Sequence, residues 1–174
     1  MWRVVEETNL HPNLLELEVN ECVLGDDIDG AIDKISRLRD MGIRVTLDNF
    51  GIGQSSLSYL RRIPVAALKI DRTFIADLQS GPGAVSLVRS IIGIANSFGL
   101  RTLADGVETD AQLRVLRYLG CQEVQGFYFG KPETLEAATA RLQEERAKTR
   151  MVRSSDSRGM DWLGPDRSAT TRRF

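Results

Sequence analysis

One short pattern occurs three times in this chain and limits its fold more than any other feature. An amphipathic stretch is followed by a glycine, a run of apolar residues and then a polar side chain. The glycines are Gly42, Gly99 and Gly120. Glycine favours the position just past a helix, because it takes a positive φ without the clash that a Cβ would cause. The repeated unit therefore predicts helices that alternate with parallel strands, the pattern of an α/β fold.

Hydrophobic periodicity predicts the remaining elements. We expect five strands, at residues 15–19, 44–48, 67–70, 102–104 and 124–128. Apolar residues at helical spacing predict helices at 27–41, 55–62, 82–98, 109–119 and 133–146, after the end of a first helix within 1–13. The expected N-caps are Asp26 or Asp27 for the helix at 27–41 and Thr109 for the helix at 109–119. Five strand–helix units are fewer than the eight of a closed barrel, so either the sheet is open or the first units lie outside this chain.

The composition excludes several kinds of site. His11 is the one histidine, so neither a histidine-dependent triad nor a zinc site is expected. Cys22 and Cys121 lack the spacing of metal ligands, and we expect each to be a small buried residue. The chain has no apolar run of about 18 residues that would predict a membrane span. Its N-terminus also lacks the layout of a signal peptide, so the expected location is the cytoplasm.

The last segment of the chain differs in charge from the rest. Residues 146–174 contain eight Lys or Arg and three Asp or Glu residues, whereas the other 145 residues contain 15 basic and 21 acidic ones. This segment has little hydrophobic periodicity, so we expect a disordered basic tail after a domain at 1–145. Its aromatic residues are too few to interleave with the basic ones, and nucleic-acid binding is not expected.

Polar side chains collect where the predicted strands end. They are Glu18, Glu21, Asp48, Asn49, Lys69, Asp71, Asp105, Glu108 and Gln125. The carboxyl ends of parallel strands form the ligand face of an α/β fold. Carboxylates crowded there repel one another unless a cation lies among them, and hard oxygen ligands suit Mg²⁺ or Mn²⁺. The alternative is that Glu21, Asp48 or Glu108 caps the helix that follows it, but polar residues at the ends of all five strands favour a ligand face.

The loop at residues 49–56 contains two glycines, Gly51 and Gly53. A dinucleotide-binding loop needs a third glycine, which is absent here. We therefore favour a mobile loop that leads into a helix capped by Ser55 or Ser56.

Five segments have the order and spacing of motifs in one known family. Residues 17–21 (L-E-V-N-E) resemble E-L/I-T-E, residues 47–57 (L-D-N-F-G-I-G-Q-S-S-L) resemble L-D-D-F-G-T-G-Y-S-S-L, and residues 68–72 match L-K-I-D-R. Residues 104–109 (A-D-G-V-E-T) are similar to A-E-G-V-E-T, and residues 125–132 (Q-G-F-Y-F-G-K-P) are similar to Q-G-Y-L-F-G-K-P. Over about residues 1–145 the chain thus resembles the EAL domain family, the bacterial cyclic di-GMP phosphodiesterases.

The resemblance implies a modified TIM barrel with one reversed strand, of which this chain would supply the last five strands. It implies that two Mg²⁺ or Mn²⁺ ions assist the hydrolysis of one phosphodiester bond of cyclic di-GMP, which gives the linear dinucleotide pGpG. The metal ligands that it implies are Glu21, Asp48 and Asn49. The catalytic side chains that it implies are Lys69, at the attacking water, with Asp105 and Glu108, which would support metal and loop. Gln125 would orient the site.

Three departures from the family pattern predict a degenerate member. The E-A-L segment does not occur in this chain, Asn49 replaces the second Asp of the loop, and Asp105 replaces the first Glu of E-G-V-E. We expect weak or no hydrolysis, and a role in cyclic di-GMP signalling through ligand binding or protein contacts.

Two other functions stay open. One is an active phosphodiesterase that an upstream segment or a partner chain completes, and the other is a remnant with no signalling role. An uncovered strand edge near residue 15 also predicts association with a second copy or a partner protein.

Overall fold

A computed structural model of the chain describes residues 2–21, 27–52, 57–144 and 172–173. The strands are β1 (Glu16–Asn20), β2 (Arg44–Phe50), β3 (Ala67–Ile70), β4 (Arg101–Ala104), β5 (Glu123–Val124) and β6 (Arg172–Arg173). The helices are α1 (Trp2–Thr8), α2 (Ile28–Asp40), α3 (Leu57–Leu60), α4 (Arg72–Ala76), α5 (Pro82–Ser97), α6 (Asp110–Tyr118) and α7 (135–144). Single 3₁₀ turns cover Pro12–Leu14 and Asp77–Gln79.

The strands form one sheet in the order of the chain, from β1 to β6. Each pair from β1 to β5 is parallel, and β6 runs antiparallel to β5. A helix follows each of the five parallel strands, as in the repeating unit of a (β/α) barrel. The predicted α/β fold with five parallel strands is confirmed.

Alternation along the strands separates an apolar face of the sheet from a polar one. Residues of the apolar face are almost fully buried: Val45, Leu47, Leu68, Ile70 and Val124. They form one cluster with residues of the covering helices α2, α5 and α6, among them Ile35, Val88, Ile92 and Leu116. Each large side chain buried this completely contributes about 1.5–3 kcal/mol of hydrophobic stabilisation. The helices therefore hold one face of the sheet and leave the polar face for the site.

The ends of the helices agree with the sequence patterns. The three glycines of the repeated unit have the expected positive φ: Gly42 (82°), Gly99 (69°) and Gly120 (78°). Asp27 is the N-cap of α2, where its Oδ1 accepts a hydrogen bond from the Gly30 N–H at 2.9 Å. Thr109 caps α6 in a reciprocal capping box with Gln112. Ser55 and Ser56, the expected caps of α3, lie outside the described residues.

α4 and β5 differ from the prediction, and β6 was not predicted. α4 was not predicted, because Arg72–Ala76 is too short for a periodic pattern, and it begins where Asp71 accepts a hydrogen bond from the Thr73 N–H at 2.8 Å. The fifth strand is Glu123–Val124 and does not extend over 124–128. Gly126 ends it with a φ of 151°, at a point where a Cβ would lie 2.2 Å from the Val107 carbonyl oxygen.

The tail predicted after residue 145 lies outside the described residues, apart from the two residues of β6 that pair with β5. Cys121 is buried, as expected, and Cys22 lies outside the described part of the chain. No helix among the described residues has the length and apolar character that crossing a membrane requires.

Candidate active site

β2 is irregular at the point where its polar residues meet β3. Asp48 and Asn49 together face one residue of β3, Lys69, because the register of the pairing shifts between Leu47 and Phe50. Asn49 has a φ of 58°, in the left-handed region that asparagine tolerates better than most residues. An extra residue bends a strand and re-aims its side chains, and such bulges are frequent beside active sites. The bulge brings two polar residues of β2 to the end of β3.

Lys69 is the centre of a cluster of carboxylates, although its side chain is only 6% exposed. Its Nζ donates a hydrogen bond to Glu18 Oε2 at 2.7 Å, and lies 3.7 Å from Asp48 Oδ1 and 3.8 Å from Asp105 Oδ2. Burial alone would lower the pKa of Lys69, but the hydrogen bond to Glu18 and the negative charges of Glu18, Asp105 and Asp48 outweigh it and raise the pKa. The ammonium therefore stays charged, and three carboxylates against one ammonium leave surplus negative charge.

Asp105, at the end of β4, is held from a second side. Gln125, just after β5, donates a hydrogen bond from Nε2 to Asp105 Oδ1 at 2.8 Å. The two carboxylate oxygens of Asp105 thus face different partners, Gln125 and Lys69. Four residues that the sequence predicted for the site, Asp48, Lys69, Asp105 and Gln125, come together at the carboxyl ends of neighbouring strands.

Asn49 joins this group through its amide. In the orientation that satisfies both ends of the amide, Nδ2 donates to Asp48 Oδ1 at 3.3 Å and to Asp71 Oδ2 at 3.1 Å. The amide oxygen accepts a hydrogen bond from Nδ2 of Asn20 at 2.6 Å. Asp71 also accepts a hydrogen bond from the Thr73 hydroxyl at 2.6 Å. The Asn49 amide therefore lies between two carboxylates without needing a cation there.

Glu21 has partners other than Lys69. It is 7% exposed, its Oε1 accepts a short hydrogen bond from the Tyr59 hydroxyl, and its Oε2 accepts one from the Gly51 N–H at 3.4 Å. These contacts connect the end of β1 to the loop after β2 and to α3. The structure thus places Glu21 behind the loop, on the other side of β1 from Glu18.

Glu108 lies at the start of α6, where its side chain is exposed. Its backbone N–H donates a hydrogen bond to Gln112 Oε1 at 2.8 Å, and the N-cap of the helix is Thr109. Glu108 is not among the carboxylates that form ion pairs with Lys69.

The sequence predicted Glu18 and Asp71 for the ligand face without a role for either, and it did not predict Asn20 for the site. Alternation along β1 contains the signal for Glu18 and Asn20, because they share one face of a five-residue strand with Glu16. The contact of Asp71 with Asn49 involves the bulge in β2, for which the sequence contains no clear pattern.

Comparison with protein families gives a match over residues 2–132 to the model of the EAL domain. The chain belongs to the EAL domain family. Among curated proteins, this EAL chain is 42% identical over 142 residues to the cyclic di-GMP phosphodiesterase NbdA of Pseudomonas aeruginosa. The aligned residues are 82% of this chain and 18% of NbdA.

Solved EAL structures have the same fold. The phosphodiesterase of Pseudomonas aeruginosa MucR, in complex with c-di-GMP, has a TM-score of 0.75 and 37% identity, over 79% of this chain and 56% of that one. A manganese/cy-diGMP complex of Klebsiella pneumoniae BlrP1 has a TM-score of 0.69 and 28% identity, over 75% of this chain and 33% of that one. The predicted partial TIM-like barrel of EAL type is therefore confirmed. The EAL chain spans less than a fifth of NbdA and about half of the MucR structure.

Proposed function

We propose that this chain is part of an EAL module that binds cyclic di-GMP with a divalent cation and hydrolyses it weakly or not at all. The observation that carries the proposal is the group formed by Lys69, Glu18, Asp48 and Asp105, beside an asparagine amide that bridges Asp48 and Asp71. The charged group is the argument that the chain binds a cation and a phosphate. The asparagine amide is the argument that hydrolysis is slow.

The charge and the donor atoms of this group suit Mg²⁺ or Mn²⁺. Three carboxylates around one ammonium offer oxygen ligands and a net negative charge, which favours a hard divalent cation. Within the described residues, however, no three acidic, histidine or cysteine side chains already form a metal cage. We place Glu18 and Asp48 at the cation. A bound cation of this kind activates water and neutralises charge on a phosphodiester.

Glu18 replaces Glu21 in this assignment. Glu18 shares Lys69 with Asp48 and Asp105, whereas the buried carboxylate of Glu21 is bonded to Tyr59 and Gly51. Glu21 would instead hold the loop after β2. Lys69 would orient the attacking water and the substrate's charged centre, and Asp105 would support metal and loop, while the support expected from Glu108 stays a prediction.

Two substitutions support weak hydrolysis. An Asn49 amide offers one neutral oxygen where the family loop has a carboxylate, and here that oxygen accepts a hydrogen bond from Asn20. Asp105 is one methylene shorter than the glutamate of the resembling motif, while Gln125 and Lys69 hold it near the sheet. Catalytic geometry tolerates little error, since a misplacement of about 1 Å can lower the rate roughly 100-fold.

A second candidate function is an active phosphodiesterase completed by another segment or chain. The observation in its favour is that Asp48, Lys69, Asp105 and Gln125 lie in one group. The chain that holds them spans 56% of the MucR structure. A partner or second copy that completes the sheet, and a cytoplasmic location, stay predictions.

One assay separates the candidates. The purified protein is incubated with Mn²⁺ and cyclic di-GMP, pGpG formation is followed, and binding is measured by calorimetric titration. We expect micromolar binding and little turnover, with faster turnover in the Asn49→Asp, Asp105→Glu double variant. Asn96→Asp, an exposed site on α5, is the charge-matched control. Rapid turnover by the unmodified chain would support the second candidate, and absence of both binding and turnover would leave only a remnant.

A further inference from the structure

A second group of charged residues lies on the polar face of the sheet, at the amino ends of the strands. Arg101, on β4, donates from NH1 to Glu123 Oε1 at 2.6 Å and from NH2 to Glu16 Oε1 at 2.7 Å. Glu123 belongs to the neighbouring strand β5, but Glu16 belongs to β1, and β2 and β3 lie between β1 and β4. The Arg101–Glu16 bond therefore crosses the concave interior of a strongly curved sheet.

Glu16 is held in its ionised form at this position. Burial raises its pKa, but hydrogen bonds from Thr46 and Arg101 and the charges of Arg101 and Arg44 outweigh burial, so that the pKa is lowered. The Arg44 guanidinium lies 3.5 Å from the second oxygen of Glu16. The side chains of Arg101 and Glu16 are only 22% and 28% exposed, so water screens their attraction less than it would on the open surface.

The strands connect this group to the candidate active site. Glu16 and Glu18 are two residues apart on the same face of β1, which corresponds to about 7 Å along a strand. Arg101 on β4 and Asp105 just beyond it also share one face of the sheet, and they are four residues apart. A bond that fixes Glu16 against β4 thus limits where Glu18 lies relative to Lys69 and Asp105.

We propose that Arg101 is a positioning residue, whose bond to Glu16 holds β1 across the sheet so that Glu18 stays against Lys69. Arginine suits this position, because its planar fork serves two carboxylates at once, which the single ammonium of a lysine does with less directional control. That the positioned residues form a site for a cation and a phosphate rests on the proposed function. The positioning of Glu18 by Arg101 and Glu16 does not rest on the proposed function, and it can be measured without any ligand.

The reactivity of the Lys69 amine reports the positioning directly. A lysine that is buried and bonded to a carboxylate is acetylated slowly, whereas one that has lost its partner and is open to water is acetylated faster. Competitive acetylation of the whole chain, with mass spectrometry of each lysine, gives the rate at Lys69 relative to the exposed Lys34.

The decisive comparison replaces each of the two carboxylate partners of Arg101 by the uncharged glutamine, in Glu16→Gln and Glu123→Gln. We expect Glu16→Gln to raise the relative rate at Lys69 about tenfold, the change that corresponds to loss of one charge-assisted hydrogen bond. Arg101→Met gives a similar rise, and the double variant adds little to either, because both remove the same bond. Glu123→Gln keeps the bond to β1 and is expected to leave the rate within about twofold.

Two controls separate positioning from a general loss of stability. Ile35→Val weakens the core without touching the charged residues, and Arg62→Met removes an exposed ion pair with Asp29. Neither should raise the rate at Lys69 under conditions where circular dichroism shows a folded chain. Equal effects of Glu16→Gln, Glu123→Gln and Ile35→Val, or no effect of Glu16→Gln, would overturn the proposal. If the unmodified chain binds neither Mn²⁺ nor cyclic di-GMP, the proposed function fails while this comparison still decides the role of Arg101.

Discussion

Lys69 on β3 donates a hydrogen bond at 2.7 Å to Glu18 on β1, although β2 lies between the two strands. A flat sheet would keep side chains of second-neighbour strands about 10 Å apart at the backbone, so the bond reports the curvature of the sheet. The Arg101–Glu16 bond spans three strand intervals in the same way at the other end. The curvature of a barrel is thus present in five strands, and ion pairs across the interior accompany it.

Lys69→Met should lower the free energy of unfolding by roughly 2 kcal/mol or more at neutral pH, because it leaves Glu18 and two nearby carboxylates without their cation. The folded pKa of Lys69 is raised, so its stabilisation is complete below the unfolded pKa of about 10.4 and is lost as pH rises through the folded pKa. Urea unfolding between pH 7 and 11 measures this. The variant should lack the alkaline decline that the unmodified chain shows, whereas Lys34→Met, at an exposed site, should keep it.

The stability of the chain and the protection of the Gly51 amide, just after β2, should depend on the buried contact between Glu21 and Tyr59. Glu21→Gln or Tyr59→Phe weakens a buried hydrogen bond that involves a charged group, and we expect each to cost about 1.5–3 kcal/mol. Hydrogen exchange at the Gly51 amide, which also bonds to Glu21, should become faster in both variants.

A double-mutant cycle tests whether the two residues act on each other. The double variant should cost less than the sum of the single ones, because the second substitution removes a bond that is already lost. Strict additivity, with unchanged exchange at Gly51, would contradict the role of Glu21 as the residue that holds the loop.

Much of the fold follows from patterns that the sequence displays. The positive φ of Gly42, Gly99 and Gly120 and the caps at Asp27 and Thr109 are local effects, and local effects can be predicted from neighbouring residues. The site is harder to predict, because contacts such as Lys69 with Glu18 depend on the curvature of the whole sheet.

The sequence of β1 contains a further signal. Strict alternation along β1 would have placed Glu18 on the polar face and Glu21 elsewhere. The bulge at Asp48 and Asn49 has no such signal, and without it the contact of Asn49 with Asp71 could not be anticipated.

Gly126→Ala should strongly destabilise the end of β5. A Cβ there would lie 2.2 Å from the Val107 oxygen, at a φ of 151° that residues with side chains rarely adopt. The strained backbone alone costs about 1–3 kcal/mol, and the clash adds to it. Gly93→Ala is the matched control, since nothing lies within 4 Å of its Cβ position in α5, and it should stabilise the helix by about 1 kcal/mol. Thermal unfolding of the two variants should therefore shift in opposite directions.

Asn49→Asp should make the stability of the chain depend on divalent cations. The present amide donates hydrogen bonds to both Asp48 and Asp71, so a carboxylate at this position would place three negative groups together and lose both donors. In EDTA we expect the variant to unfold at a lower temperature than the unmodified chain, because unpaired like charges at short range are unfavourable.

Addition of Mn²⁺ should reverse this loss, since a ligand that binds only the folded state stabilises it by about 2.7 kcal/mol at a concentration of 100 times its Kd. The unmodified chain should gain less, because its uncharged amide adds no negative charge for the cation to offset and already donates hydrogen bonds to Asp48 and Asp71. Asn96→Asp, on the exposed face of α5, adds the same charge elsewhere and should show no extra response to Mn²⁺. If Asn49→Asp and Asn96→Asp respond alike in scanning calorimetry, the amide of Asn49 does not occupy a cation position.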